Sequence, residues 1–223
     1  MKSSFVAIAG NIGAGKSTLT RMLAAHFGWQ PFFEANAENP YLADFYDDMR
    51  RWSFQSQVFF LGKRLEHHRL LVDYPGSVVQ DRTVYEDAEI FARNLYQQGT
   101  MTERDYRTYR TVYEAICTFL PAPDLVIYLQ GNVDTLLRHI AHRGRDYEQN
   151  IDPEYVARLN TLYDDWIDHW VASPVLRIPM DKLDFQHNPA QFHLIVQNVE
   201  SAMISGFKEQ HQLSLVDKNS VSW

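Results

Sequence analysis

Residues 5–17 read FVAIAGNIGAGKS, and this stretch decides the fold. An apolar run at residues 5–9 leads directly into the pattern G-x-x-x-x-G-K-[ST], and a helical pattern begins at Thr18. Glycines let the backbone curl until successive N–H groups point inward at a polyphosphate, and the start of the helix adds the positive end of its dipole. The stretch therefore predicts a buried strand, a phosphate-binding loop and a helix.

Two side chains of this loop carry specific chemistry. Lys16 is expected to reach the β- and γ-phosphates of a nucleotide, and Ser17 to offer its hydroxyl to Mg²⁺. The alternative is a glycine turn with a solvated lysine, which the agreement of motif, strand and helix disfavours. The predicted nucleotide-binding set of the loop is Gly10, Asn11, Ile12, Gly13, Ala14, Gly15, Lys16, Ser17 and Thr18.

The composition is typical of one α/β domain. The chain has 223 residues, of which 45% are hydrophobic and 22% charged, and no window offers ~18 uninterrupted apolar residues. A secretory signal pattern does not precede the first strand, and the single cysteine, Cys117, excludes an internal disulfide. We therefore expect a cytoplasmic protein with no membrane partner.

The charge argues against a nucleic-acid polymer as partner. Lys and Arg number 21 against 28 Asp and Glu, which gives a formal net charge of −7. Neutralising a phosphate backbone requires a clustered excess of Lys and Arg. A small nucleotide remains a suitable ligand because it needs only a local basic cluster.

Five apolar, strand-like runs alternate with helical patterns and predict a parallel sheet covered on both faces. The runs are residues 5–9, 29–33, 77–80, 125–129 and 175–178. Helical patterns cover 39–46, 53–73, 134–144 and 153–171, and two more helices between 81 and 120 are separated near 98–100. Residues 1–203 form one predicted domain, and the polar, aperiodic residues 204–223 predict a loosely ordered tail.

Charged residues follow the second and third strands, where ligands of parallel sheets gather. Glu34 is a candidate to take a proton from a hydroxyl nucleophile, Arg82 to stabilise a transferring phosphoryl group, and Asp81 to support Mg²⁺. The alternatives are that Glu34 caps the next helix and that Asp81 and Arg82 form a local ion pair.

An arginine-rich segment, RHIAHRGR at residues 138–145, follows the fourth strand. Arginines on a helix and its exit bind phosphates through paired hydrogen bonds. This favours a lid that closes over the nucleotide and excludes water. The alternative is a solvated helix face.

Together, these motifs resemble the deoxynucleoside kinases, the group that contains deoxycytidine, deoxyguanosine and insect multisubstrate enzymes. The similarity spans about residues 4–200 and rests on the phosphate loop, Glu34, the DRT motif at 81–83 with Tyr85 and Asp87 following, and RGR at 143–145. It implies a P-loop kinase fold with a five-stranded parallel sheet, helices on both faces and an arginine-bearing lid. It also implies transfer of the γ-phosphoryl of ATP to the 5′-hydroxyl of a deoxynucleoside, Mg²⁺ as cofactor, and a homodimer.

The resemblance also implies residue roles. Glu34 becomes the general base, Arg82 steadies it together with the phosphoryl group, and Asp81 lies where the family holds Mg²⁺. The implied base contacts are Gln57, Arg64, Asp87 and Phe91, the implied contacts to the sugar 3′-hydroxyl are Tyr46 and Glu148, and the implied donor contacts are Arg143, Arg145, Asp184 and Phe185.

The chain departs from the family pattern at several of these positions. Asp81 replaces the more usual glutamate, Thr83 replaces serine, and Ser56 stands where relatives often carry phenylalanine. Arg138 and His139 occur in the reverse order to several relatives, so only Arg143 and Arg145 are carried over from the lid. The alternatives from the residues alone are that Gln57 and Arg64 are surface positions and that Phe91 and Tyr46 belong to the core.

Two other functions compete with this interpretation. A nucleoside monophosphate kinase, such as thymidylate kinase, shares the loop and lid but needs further arginines for the acceptor phosphate. A catalytically silent nucleotide-binding subunit is disfavoured by the intact Lys16, Glu34 and Arg82. Because Arg64 and Asp87 offer donors and an acceptor, we expect a deoxynucleoside other than thymidine, with purines preferred.

Overall fold

The structure is a computed structural model that describes residues 3–34, 38–205 and 211–212. Its strands form one sheet with the order β2-β3-β1-β4-β5-β6, in which every pair is parallel. The strands are β1 (Phe5–Gly10), β2 (Gln30–Phe32), β3 (Val78–Asp81), β4 (Leu125–Gln130), β5 (Val175–Pro179) and β6 (His211–Gln212). The five predicted strands are present, and the two-residue β6 extends the sheet at one edge.

Helices surround the sheet. They are α1 (Lys16–Phe27), α2 (Leu42–Asp47), α3 (Met49–Asp73), α4, made of three consecutive helical segments (Val84–Glu86, Asp87–Ala92 and Arg93–Gln97), α5 (Glu103–Cys117), α6 (Val133–Arg143), α7 (Pro153–Asp168) and α8 (Pro189–Ser205). The middle segment of α4 is a π-helical turn. Within the described ranges, no helix is long and apolar enough to cross a membrane.

Helix boundaries follow local capping chemistry. The Asp152 side chain accepts a hydrogen bond from Glu154 N at 2.9 Å, and Pro153 occupies the first position of α7. The Asp48 side chain accepts from Arg51 N at 3.0 Å and starts α3 four residues before the predicted start. The predicted helix at 39–46 begins only at Leu42, because the Asn39 side chain accepts from Tyr41 N and forms a turn.

The sequence prediction missed α8. The helix carries the consecutive apolar residues Leu194, Ile195 and Val196, a run whose period is ambiguous between strand and helix. Residues 204 and 205 belong to α8, whereas 206–210 and 213–223, where most of the predicted tail falls, lie outside the described residues.

The central strand positions the functional site. All six residues of β1 are buried, as expected for a strand covered on both faces. Because β1, β2 and β3 are parallel, their carboxyl ends all lie at the same end of the sheet. The phosphate loop, Glu34 and Arg82 therefore meet there.

Candidate active site

A cavity of about 640 Å³ opens at the carboxyl ends of these strands. Its lining brings together most of the predicted site residues, namely Ile12, Gly13, Gly15, Lys16, Ser17, Thr18, Glu34, Tyr46, Gln57, Arg82, Asp87, Phe91, Arg143, Arg145, Glu148, Asp184 and Phe185. The other predicted residues are buried around this lining: Gly10, Asn11, Ala14, Arg64 and Asp81. Residues predicted to bind the donor and residues predicted to bind the acceptor thus share one cavity.

The phosphate loop is fastened to the helices around it. Asn11 is buried, and its Nδ2 donates to Val156 O at 2.9 Å and to Asn160 Oδ1 at 2.7 Å, both on α7. Its side chain therefore anchors the loop, and the predicted contact of Asn11 with nucleotide stays a prediction. Gly13 has φ +82°, a conformation that favours glycine, and packs against α6.

Lys16 lies inside the loop. Its Nζ donates to the carbonyl oxygen of Asn11 at 3.0 Å. Burial, together with the nearby positive charge of Arg82, lowers the pKa of Lys16 to about 8. Because the ammonium is desolvated, it will interact more strongly with a phosphate anion than an exposed lysine would.

Glu34 follows β2 and is held between two arginines. Its Oε1 accepts from Arg64 Nη2 at 3.0 Å and forms an ion pair with Arg82 Nε at 2.9 Å. The Glu34 side chain is 10% exposed, so the carboxylate is largely desolvated while it still lines the cavity.

Arg82 has an unusual backbone. Its φ is +66°, the one positive value outside glycine in the part of the chain that the structure describes. Such a conformation costs about 1–3 kcal/mol and persists where the surroundings determine it. It aims the guanidinium at Glu34 and places it 4.2 Å from the centre of the Phe91 ring. Asp81 and Arg82 thus face different partners, and the proposed local ion pair between them is wrong.

The Ser17 hydroxyl and the Asp81 carboxylate lie together at the phosphate loop. Ser17 Oγ donates to Asp81 Oδ2 at 2.5 Å, while Asp81 Oδ1 is buried without a hydrogen-bond partner. Burial raises the pKa of Asp81, and the nearby Lys16 opposes this effect. The described residues contain no cluster of three or more His, Cys, Asp or Glu ligands. Because Mg²⁺ is usually held by one or two carboxylates together with substrate phosphates, the hydroxyl and carboxylate fit this ion.

The predicted base contacts lie on α3 and α4. Gln57 and Arg64 are each 3% exposed, so the alternative that they are surface positions is wrong. Gln57 Oε1 is buried without a partner, and its side chain lines the cavity beside Phe91 and Asp87. An amide carries both a donor and an acceptor, an arrangement that is complementary to the edge of a base.

Arg64 is placed differently from its predicted role. It is not among the cavity-lining residues; its Nε donates to Asp87 Oδ2 at 3.0 Å and its Nη1 to Asp81 O at 3.3 Å, in addition to its contact with Glu34. Burial raises the pKa of Asp87, and Arg64 opposes that rise. Arg64 therefore orients two carboxylates from behind the cavity wall, and Asp87 is the member of the pair that faces the cavity.

The lid joins predicted donor and acceptor contacts. Glu148 is buried and pairs with Arg143 and, at 3.3 Å, with Arg145. Tyr46 stacks on Tyr147 with ring centroids 5.7 Å apart. Because the carboxylate predicted for the sugar also forms ion pairs with both lid arginines, these arginines are not simply a solvated helix face.

A second loop, residues 183–187, also lines the cavity. Phe185 is buried against Gly15, where an added Cβ would lie 3.5 Å from the ring. Asp184 accepts from His187 N at 3.1 Å and is exposed to solvent. Both residues line the cavity, and their predicted place beside the donor adenine stays a prediction.

Two residues that contact the phosphate loop were absent from the predicted site. His139 Nδ1 lies 2.9 Å from Gly13 O, and the ring lines the cavity, although its reversed order relative to Arg138 had removed it from the predicted site. Glu86 is fully buried and accepts hydrogen bonds from Gly10 N and Thr83 N. The T-x-x-E spacing of residues 83–86 is a capping-box signature and could have revealed it.

The chain is similar to a family of kinases. A model of the deoxynucleoside kinase family matches residues 6–205. The chain is 37% identical over 204 residues to the deoxyadenosine/deoxycytidine kinase of Bacillus subtilis (strain 168), covering 91% of this chain and 94% of that protein. It is 33% identical over 204 residues to the deoxyguanosine kinase of the same organism, with coverage of 90% and 98%. A solved structure of deoxyadenosine kinase from M. mycoides with bound dATP superposes with a TM-score of 0.79 and 30% identity, covering 88% of this chain and 99% of that one.

Proposed function

The chain belongs to the deoxynucleoside kinase family, and on that premise we propose that it transfers the γ-phosphoryl group of ATP to the 5′-hydroxyl of a deoxynucleoside to give the 5′-monophosphate. The observation that carries the proposal is that the Glu34 carboxylate lines the same cavity as Lys16 and Ser17 of the phosphate loop. A base beside a polyphosphate cradle is what an alcohol acceptor requires.

The proposed chemistry follows from the charges around the cavity. Glu34 accepts the proton of the 5′-hydroxyl as that oxygen attacks the γ-phosphorus. The bond from the γ-phosphorus to the bridging oxygen breaks, and ADP leaves with the electron pair. Lys16 and Arg82 are buried cations close to Glu34, and they stabilise negative charge that is spread over the transferring group.

Magnesium and the lid complete this proposal. Ser17 and Asp81 would hold Mg²⁺, which, when bound, neutralises charge on the β- and γ-phosphates. Arg143 and Arg145 would contact the donor phosphates once they exchange their pairing with Glu148 for phosphate oxygens. Glu148 and Tyr46 would then hold the acceptor sugar.

We propose a purine deoxynucleoside as the preferred acceptor, with deoxycytidine as the second choice. Gln57 offers an amide edge with an unpartnered oxygen, and Asp87 offers an acceptor that suits an exocyclic amine. Thymine lacks such an amine. The similarity to kinases named for deoxyadenosine, deoxycytidine and deoxyguanosine supports this choice.

We also propose a cytoplasmic homodimer packed through helices. The single cysteine suits a reducing compartment. Several aliphatic side chains on α3 and α5 are more than two-fifths exposed, namely Val58, Leu70, Val72 and Val112. Light scattering after size exclusion tests the assembly, and a monomeric mass would overturn it.

Two experiments test the proposed function: a comparison of phosphoryl acceptors and one substitution. The purified protein is incubated with Mg²⁺, ATP and each of the four common deoxynucleosides, or their monophosphates, and ADP formation is measured. Transfer to deoxynucleosides alone is expected; transfer to monophosphates instead would make the chain a nucleoside monophosphate kinase.

Glu34→Gln then isolates the proposed base. The amide keeps the shape but accepts protons poorly, so kcat should fall by about 10²–10⁴-fold, with deoxynucleoside Kd changed by only a few fold. Glu38→Gln is the matched control, because Glu38 is exposed and pairs with Lys63 away from the cavity. Near-normal kcat in Glu34→Gln would remove Glu34 from the mechanism.

A further inference from the structure

Glu86 is a buried carboxylate that the chemistry above does not use. It lies in the first turn of α4 and is 0% exposed. Taking a carboxylate out of water costs several kcal/mol unless other groups compensate for its lost hydration. Its contacts therefore indicate what the residue does.

Four donors converge on this carboxylate. Oε1 accepts from Gly10 N at 3.3 Å and from the hydroxyl of Tyr163 at 2.9 Å. Oε2 accepts from Thr83 N at 2.8 Å and from Thr83 Oγ1 at 3.2 Å. Each carboxylate oxygen thus binds one backbone N–H and one hydroxyl.

The distinction between these donors decides which side chain can replace Glu86. A hydroxyl can rotate and become an acceptor, but a backbone N–H can only donate. Gly10 N and Thr83 N therefore require two acceptor atoms at the same time. A carboxylate supplies both, whereas an amide of the same shape supplies one and turns an NH₂ group toward the other N–H.

The N–H groups of Gly10 and Thr83 belong to two different parts of the proposed active site. Gly10 is the first residue of the phosphate loop and has φ +148°, and an added Cβ there would lie 2.8 Å from Leu129 O. Thr83 directly follows Arg82, whose backbone is held at φ +66°. Glu86 joins these positions across 76 residues of chain.

We propose that Glu86 is a positioning residue for phosphoryl transfer, whose two oxygens fix the phosphate loop to the backbone that carries Arg82. The inference rests on the proposed function, because the donor that it positions is the one used in that transfer. Glu86 does not touch the reacting atoms and acts through Gly10 and Arg82.

Glu86→Gln tests the requirement for two acceptors. The amide oxygen should keep the shorter bond to Thr83 N and leave Gly10 N facing an NH₂ group, so the start of the phosphate loop shifts. Because a misplacement of about 1 Å can cost about 10²-fold, we expect kcat/KM for ATP to fall about 10- to 100-fold. The KM for the deoxynucleoside should stay within about twofold, since Gln57 and Phe91 are not tied to Gly10.

Tyr163→Phe is the matched control. It removes a hydroxyl from the same carboxylate but leaves both backbone N–H groups with their acceptors. Its kcat/KM for ATP should stay close to that of the parent chain. All assays are run well below the unfolding temperature of each variant, and ADP binding is measured separately by calorimetry.

The outcomes separate the inference from the function. A lowered unfolding temperature with unchanged kinetics and ADP affinity in Glu86→Gln would overturn the inference, as would equal losses in Tyr163→Phe or in the acceptor KM. If Glu86→Gln does not fold, Glu86→Asp is used instead, because aspartate keeps two acceptor oxygens on a shorter side chain. Glu86→Asp should show a smaller loss of kcat/KM for ATP, and parent-like kinetics in that variant would overturn the inference. If the parent chain phosphorylates no deoxynucleoside, the proposed function fails, while the ADP calorimetry still tests Glu86.

Discussion

Substitution of Gly13 by alanine tests how tightly the phosphate loop is held against the lid helix. Gly13 has φ +82°, and an added Cβ would lie 2.6 Å from Leu136 O and 3.0 Å from Ile140 Cγ1. Both neighbours belong to α6. Because Leu136 contributes a backbone atom, the contact cannot be relieved by rotating a side chain.

The magnitude follows from two costs. A left-handed backbone costs an alanine about 1–2 kcal/mol, and forcing a methyl group into a packed site costs about 1–3 kcal/mol more. Gly99→Ala is the matched control, because Gly99 has φ +70° but no atom within 4 Å of the added Cβ. It carries only the first cost, so Gly13→Ala should be less stable than the control by about 1–3 kcal/mol.

Thermal unfolding and steady-state kinetics measure the two consequences. For a chain of this size, 1 kcal/mol shifts the unfolding temperature by about 2–4 °C, so Gly13→Ala should unfold about 2–12 °C below Gly99→Ala. Displacing α6 also moves His139, which contacts Gly13 O at 2.9 Å. The KM for ATP should therefore rise about tenfold or more in Gly13→Ala alone.

One result would refute this reasoning. If Gly13→Ala unfolds together with Gly99→Ala and binds ATP normally, the loop is not pressed against α6 as described. A rise in the deoxynucleoside KM equal to the rise for ATP would also contradict it, because the clash lies at the phosphate loop, where we propose that ATP binds.

Two further predictions concern buried polar groups. Gln57→Leu should raise the deoxynucleoside KM about 5- to 150-fold, which corresponds to a loss of about 1–3 kcal/mol of binding free energy. The unfolding temperature should not fall, because Gln57 Oε1 has no hydrogen-bond partner to lose. An unchanged KM would remove Gln57 from base recognition. His68 is buried against Phe5 with Nε2 unpartnered, and burial lowers its pKa. His68 therefore binds a proton more tightly in the unfolded chain than in the folded one. Its contribution to the free energy of unfolding is fully present above the unfolded pKa of about 6.5 and is lost as pH falls below that value. Urea unfolding at pH 7.5 and 5.5 should show a smaller loss in His68→Leu than in the parent chain, and equal losses would contradict this.

The sequence by itself determined the elements whose signals are local. The spacing of the glycines between a strand and a helix predicts the phosphate loop. The other four predicted strands are apolar runs bounded by polar residues. The cap formed by Asp152 and Pro153 is equally local. These features depend on neighbouring residues in the chain, so one-dimensional patterns were enough to predict them.

Only the tertiary structure decided how the site side chains pair. Glu148 pairs with both lid arginines, Arg64 lies behind the cavity wall and orients Glu34 and Asp87, and Glu86 accepts a hydrogen bond from Gly10, which lies 76 residues earlier in the chain. A buried polar side chain takes whichever partners the packed elements bring within about 3 Å, so its role depends on the arrangement of helices around the sheet. Local sequence does not encode that arrangement, which is why the site could be located in advance while its hydrogen bonds could not.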